Sequence, residues 1–267
     1  MEFGFGAVIS VVGGAIKHGK SIVGVVTKAY VRICDTDIVV TGASGAGKSH
    51  LIDYIASEIK QHRQTPQETS ATVEHTVIPL NDDWFQKKIS VIPGQSTKAR
   101  DKAFVDLISK NNDLKGIVHV VDWGYTLPKS KDTEAYYKAR NIKTLDELRS
   151  DNLSEEVEYL NSLADELELR PQKVSWFIIA LNKVDLFDVG QAVNYYQNDP
   201  KFCNALSRVL ARVEHISNPR NQIQPICCLR EDFIFNGKTT KTRLASDAVQ
   251  KQHYDDFRKT IEMQLAE

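Results

Sequence analysis

The sequence predicts an α/β fold of three layers, a mostly parallel sheet covered by helices on both faces, with one antiparallel edge strand. Three observations carry this. Strand-like apolar runs alternate along the chain with helices that are apolar on one side, the pattern of βαβ units. One pair of strand-like runs, residues 73–80 and 85–92, flanks the turn Asn81-Asp82-Asp83, which suits an antiparallel hairpin. The motifs that carry chemistry fall at the carboxyl ends of strands, where sheets of this kind bind ligands.

The elements follow in order. Residues 37–41 form a short strand centred on Ile38-Val39-Val40, and a glycine-rich loop, residues 42–47, follows. Residues 48–60 read as a helix with Leu51, Ile52, Ile55 and Ile59 on one side. Residues 65–72 are polar and contain a proline, as a loop does. After the hairpin, residues 97–110 are helical, with Ala103, Phe104, Leu107 and Ile108 apolar. Residues 116–122 are a buried strand of the continuous apolar type.

Residues 123–172 exceed what a single crossover needs. Leu153, Val157, Leu160, Leu163 and Leu167 recur there at three and four, so a helix is expected, with Ser154 as its N-cap and Pro171 ending it. Trp123, Tyr125, Tyr136 and Tyr137 in this segment are expected to pack in the core. A buried strand at 174–181, helix over 191–216 interrupted near Pro200, a last strand at 224–229 and a terminal helix at 245–265 complete the chain.

Composition bounds the class. The chain has 267 residues, 42% hydrophobic and 26% charged, with a formal net charge of −1. That is the composition of a globular domain, and it gives no reason to expect nucleic acid as a partner. The basic stretch 238–243 reads as a solvated loop. Four cysteines, Cys34, Cys203, Cys227 and Cys228, show no metal-ligand spacing, so reduced thiols and a cytoplasmic location are expected. Residues 1–35 read as an apolar helical extension appended to a domain spanning 36–267. Phe5, Ile9, Val12 and Ile16 fall near helical spacing, and neither apolar run reaches the ~18 residues of a membrane span. Packing on the domain is the preferred role, and membrane contact the lesser alternative.

Gly42-Ala43-Ser44-Gly45-Ala46-Gly47-Lys48-Ser49 fits G-x-x-x-x-G-K-[ST] in full, between a strand and a helix. Glycines let the loop turn its N–H groups toward phosphate oxygens, and the helix N-terminus that includes His50 adds its dipole. Lys48 is expected on the β- and γ-phosphates and the Ser49 hydroxyl on Mg²⁺. Asn182-Lys183-Val184-Asp185 directly follows a strand. A carboxylate at Asp185 can accept from the ring N–H and the exocyclic amine of guanine, a donor pair that adenine lacks. Lys183 can lie along the base.

These motifs resemble those of the Ras-like small GTPases within the P-loop group, over residues 37 to the C-terminus. The resemblance implies a P-loop NTPase fold with six strands, Mg²⁺-GTP as ligand, GTP hydrolysis and two switch loops. It places Cys227 and Cys228 in a loop that contacts the base. The third motif departs from the family: Val91-Ile92-Pro93-Gly94 stands where Asp-x-x-Gly is usual, followed by Gln95. The resemblance gives Gly94 the γ-phosphate and Gln95 the attacking water, while Val91 cannot hold a metal-bound water. A switch threonine at Thr69 or Thr72 would share the metal with Ser49, Thr69 being the closer echo of the family and Thr65 a weaker third choice. Arg100 is a helix-surface residue before it is an arginine finger, His119 a core imidazole, and Asp122 a cap or turn partner.

The function expected is therefore a molecular switch that binds Mg²⁺-GTP and hydrolyses it slowly, at intrinsic rates on the order of 10⁻⁴ to 10⁻² per second. A protein partner is expected at the switch loops or at residues 123–172. The alternative is a guanine-nucleotide-binding structural or signalling subunit that does not hydrolyse. An ATP-using kinase is disfavoured by Asp185.

Overall fold

The computed structural model describes residues 36–60, 73–79, 86–94, 98–127, 133–215 and 223–266. The N-terminal extension, Thr69, Thr72, Gln95 and the turn at 81–83 lie outside these residues.

Eight strands and seven helices occur among the described residues. In chain order they are β1 (Ile38–Thr41), α1 (Lys48–Lys60), β2 (Glu74–Pro79), β3 (Gln86–Val91), α2 (Lys98–Phe104), β4 (Gly116–Val121), α3 (Thr133–Ala139), α4 (Leu145–Glu168), β5 (Trp176–Leu181), α5 (Val189–Asn198), α6 (Pro200–Leu210), β6 (Ile223–Pro225), β7 (Phe233–Phe235), β8 (Lys238–Thr240) and α7 (Asp247–Ala266). Six strands form one sheet in the order β2-β3-β1-β4-β5-β6. Only the β2–β3 pairing at its edge is antiparallel, as the sequence predicts.

Alternation along the strands divides the core. Ile38, Val40, Val118 and Val120 face Leu51 and Ile55 of α1 and Phe257 and Ile261 of α7. Val39, Ile117 and Val121 face the other way, onto Leu160, Leu163 and Leu167 of α4 and Phe202 and Val209 of α6. Period-2 strands between helices on both faces give the three layers. The sheet thus presents the carboxyl ends of β1, β3, β4 and β5 along one edge.

Several expectations are corrected. The long helix begins at Leu145, ten residues before Glu155, because Thr144 caps it. Its side chain accepts from Glu147 N at 3.2 Å and the Glu147 carboxylate accepts from Thr144 N at 2.9 Å, a capping box. Ser154 is inside the helix and donates to Ser150 O at 3.0 Å. The helix expected over 97–110 is α2 followed by one π turn, Val105–Ser109. The last strand stops at Pro225, and Cys227 and Cys228 lie in the loop beyond it. The basic stretch at 238–243 begins as strand β8, paired with β7 around Asn236 and Gly237, whose φ values are 47° and 73°. Both central residues at positive φ mark a type I′ turn, for which Asn-Gly is the favoured pair.

The helix pair expected near Pro200 is present as α5 and α6, and Asp199 caps the second by accepting from Phe202 N at 2.9 Å. Cys203, Cys227 and Cys228 are free thiols.

Candidate nucleotide-binding site

One cavity opens at the carboxyl edge of the sheet. Its walls include Gly45, Lys48 and Ser49 at one end and Asn182, Lys183, Asp185 and Cys228 at the other. The two sequence motifs, separated by more than a hundred residues, therefore share one space. Ser44, Gly47, His50, Val91 and Gly94 also line it.

The phosphate end is built from β1 and α1. Lys48 is 7% exposed, and its ammonium donates to Gly42 O at 2.9 Å and Ala43 O at 2.8 Å, within its own loop. Ala46 is buried beneath the loop. The Ser49 hydroxyl donates to the Glu74 carboxylate at 3.0 Å. Gly94 lies against the loop so closely that an added Cβ would stand 2.4 Å from Ser44 N. Behind the loop, His119 Nδ1 and the Thr41 hydroxyl are 2.9 Å apart. Burial, with the Lys48 charge beside it, lowers the His119 pKa to about 3, so the imidazole is neutral.

The base end is built from the turn after β5 and the loop after β6. Asn182 ties the two ends together. Its amide nitrogen donates to Ala46 O at 2.9 Å and its amide oxygen accepts from Cys228 N at 3.1 Å. Asp185 is 1% exposed. One of its carboxylate oxygens accepts from the Cys227 thiol at 3.3 Å, and the other, Oδ2, is buried without a partner among the described residues. A buried carboxylate oxygen left unpaired is costly in isolation. It fits a ligand that brings donors, such as the ring N–H and amine of guanine. Beside it, burial and the neighbouring Asp185 carboxylate raise the Cys227 thiol pKa, so the thiol stays protonated and acts as a donor.

Lys183 sits at φ 60° and sends its ammonium to Gly45 O at 3.0 Å, Tyr125 O at 2.5 Å and Asp122 Oδ2 at 2.5 Å. Asp122 is thus more than the turn partner the sequence suggests. It accepts from the Thr126 hydroxyl and also forms a partly buried ion pair with Lys183. Glu156 on α4 joins the same cluster: it accepts from Asp122 N at 3.1 Å and from the Tyr196 hydroxyl at 2.7 Å. Burial, with the Asp122 carboxylate nearby, pushes the Glu156 pKa up to about 8.

Sequence reasoning missed Glu74, Glu156 and the cavity wall contributed by Leu127 and residues 231–233, and gave Asp122 only a cap or turn role and Tyr125 only a place in the core. The aromatic residues of the enlarged segment pack as expected, Trp123 against Phe187 at 5.1 Å and Tyr137 against Phe235 at 5.2 Å. Arg100 lies over the Tyr159 ring at 5.6 Å.

A sheet of this order, with a glycine-rich loop between β1 and α1 and an Asn-Lys-x-Asp turn after β5, defines a P-loop GTPase domain. The family model described as "50S ribosome-binding GTPase" matches residues 37–183, more than half of the chain, and the protein belongs to that GTPase family. No curated protein sequence matches the chain. Among solved structures, the mammalian SRP receptor is similar at 12% identity and a TM-score of 0.49, covering 85% of this chain and 99% of that one. A bacterial selenocysteine-specific elongation factor, EF-Sec, gives 14% and 0.46, covering 87% of this chain and 29% of that one. The Arl6 BBS3 small GTPase from Trypanosoma brucei, with bound GppNp, gives 10% and 0.42, covering 86% and 99%.

Proposed function

We propose that the protein binds Mg²⁺-GTP, hydrolyses it slowly to GDP and phosphate, and acts as a molecular switch. The observation that carries this reading is Asp185 Oδ2, an unpartnered buried oxygen on the wall of the cavity that Lys48 and Ser49 also line. The loop amides and Lys48 hold the phosphates. To reach them, the Lys48 ammonium exchanges its bonds to Gly42 O and Ala43 O for phosphate oxygens. Ser49, with Thr69 or Thr72, would hold Mg²⁺, which neutralises charge on the phosphates. Gly94 N–H senses the γ-phosphate, and Gln95 orients the water that attacks it. Chemistry of this kind is positioning and electrostatics. A partner that completes the site fits either the switch loops or residues 123–172.

GTP turnover by the purified protein with Mg²⁺, in wild type and Gln95→Ala, tests the reading together with the identity of any co-purified nucleotide. Turnover that falls in the variant supports hydrolysis and the role of Gln95. Bound GTP without turnover in either form supports instead a non-hydrolysing guanine-nucleotide subunit, the reading that Val91 in place of a carboxylate favours. Absence of guanine nucleotide binding overturns both.

A further inference from the structure

The third motif lacks its carboxylate, yet a carboxylate stands beside the metal-binding serine. In the antiparallel β2–β3 pair, Glu74 is directly opposite Val91. Residues opposite one another in such a pair project from the same face, about 5 Å apart at Cβ. The Val91 side chain packs among Ile38, Val40, Leu51 and Ile52, on the face covered by α1. Ser49 lies in the first turn of α1. The Glu74 side chain therefore leaves β2 on the α1 side, and its Oε1 accepts from the Ser49 hydroxyl at 3.0 Å.

We propose, on the reading that this site binds Mg²⁺-nucleotide, that Glu74 supplies to the metal the carboxylate that Val91 withholds. Three points support the assignment. Glutamate is one methylene longer than aspartate, which suits a carboxylate reaching from the neighbouring strand. Two adjacent oxygen ligands of an octahedral Mg²⁺ lie about 3.0 Å apart, because each metal–oxygen distance is about 2.1 Å; the Ser49 and Glu74 oxygens are 3.0 Å apart. Finally, no group of three or more His, Cys, Asp or Glu among the described residues could cage a metal alone. Mg²⁺ is ordinarily held by one or two carboxylates together with substrate phosphates, so a single carboxylate beside the serine is the expected complement. The sequence hides this exchange, because the substitute comes from the other strand of the hairpin.

The test is the dissociation of a fluorescent GDP analogue, followed across free Mg²⁺ from excess chelator to millimolar, in wild type, Glu74→Gln and Glu74→Gln/Val91→Asp. Glutamine keeps the size of the side chain and its bond to Ser49 while removing the charge. The Mg²⁺ concentration that half-protects the complex is expected to rise by about 10- to 100-fold in Glu74→Gln. Dissociation in chelator is the metal-free reference for each protein, and the double variant is expected to move back toward wild type. Wild-type Mg²⁺ dependence in Glu74→Gln would overturn the assignment while leaving nucleotide binding intact. No binding of the analogue by wild type, with or without Mg²⁺, would overturn the guanine-nucleotide reading and the metal assignment with it.

Discussion

Lys183 Nζ lies 2.5 Å from Asp122 Oδ2, and the Asp122 side chain is 2% exposed. The lysine of the Asn-Lys-x-Asp turn is thus clamped at the end of β4, and the same ammonium reaches Gly45 O of the glycine-rich loop. One cation joins three segments of the site. Asp122→Asn keeps the shape and an acceptor for Thr126 but leaves the Lys183 charge without its partner. A stability loss of about 2 kcal/mol is expected, because the pair is partly buried and a hydrogen bond to a charged group contributes roughly 1.5–3 kcal/mol. A urea midpoint equal to that of wild type would contradict this.

Asn182→Ala removes both bonds that link the phosphate loop to the loop after β6. Ala46 O and Cys228 N would be left in a buried place without partners. Each such group costs about 1–3 kcal/mol. Both the melting temperature and the affinity for GDP should fall. Loss of stability with unchanged affinity would show that Asn182 braces the fold without shaping the site.

Asp185→Asn replaces two acceptors by one acceptor and one donor. The exocyclic amine of guanine then meets an amide N–H, while xanthine, which carries an oxygen there, is matched. GTP affinity should drop by on the order of a hundredfold or more, and XTP should bind better than to wild type. Competition between the two nucleotides for each protein reads this directly, and an unchanged preference for GTP would remove Asp185 from the base contact.

Glu156 gives a pH dependence of determinable sign. Its carboxyl is raised from 4.5 to about 8 in the folded protein by burial and by Asp122. Between those values the folded state binds more protons than the unfolded chain. Stability from the neutral carboxyl is therefore fully present below the lower value and is lost as pH rises through the upper one, by at most about 1.4 kcal/mol per pH unit. Glu156→Gln should flatten the decline and be more stable than wild type at pH 9. Parallel denaturation curves for the two proteins from pH 5 to 9 would refute it.

The sheet was legible because β1, β4 and β5 are apolar runs of strand length between polar stretches. The phosphate and base motifs were legible because their residues are contiguous. What escaped depends on residues far apart in sequence. Glu74 and Ser49 meet only through the hairpin, Asp122 and Lys183 only through the pairing of β4 with β5, and Glu156 joins them only through the packing of α4 on the sheet. The start of α4 was misplaced for a different reason. Leu145 and Leu148 already carry the inward stripe, but the next buried position is the polar Asn152, which breaks the apolar pattern, and the local signal was Thr144 with Glu147 three residues on. The Asn236-Gly237 turn was also present in the sequence, but strands of three residues are too short for alternation to register.

The small β7–β8 hairpin and the enlarged segment depend on each other. Phe235 stacks edge-on with Tyr137 of α3, Phe233 meets Tyr125 at 5.4 Å, and Asn236 Nδ2 donates to Lys143 O at 3.0 Å, just before α4. Every one of these partners belongs to the enlarged segment between β4 and β5. Deleting either segment would strand aromatic surface on the other. The two segments, nearly a hundred residues apart on the chain, therefore form one packed unit, and each needs the other to keep its aromatic side chains from water.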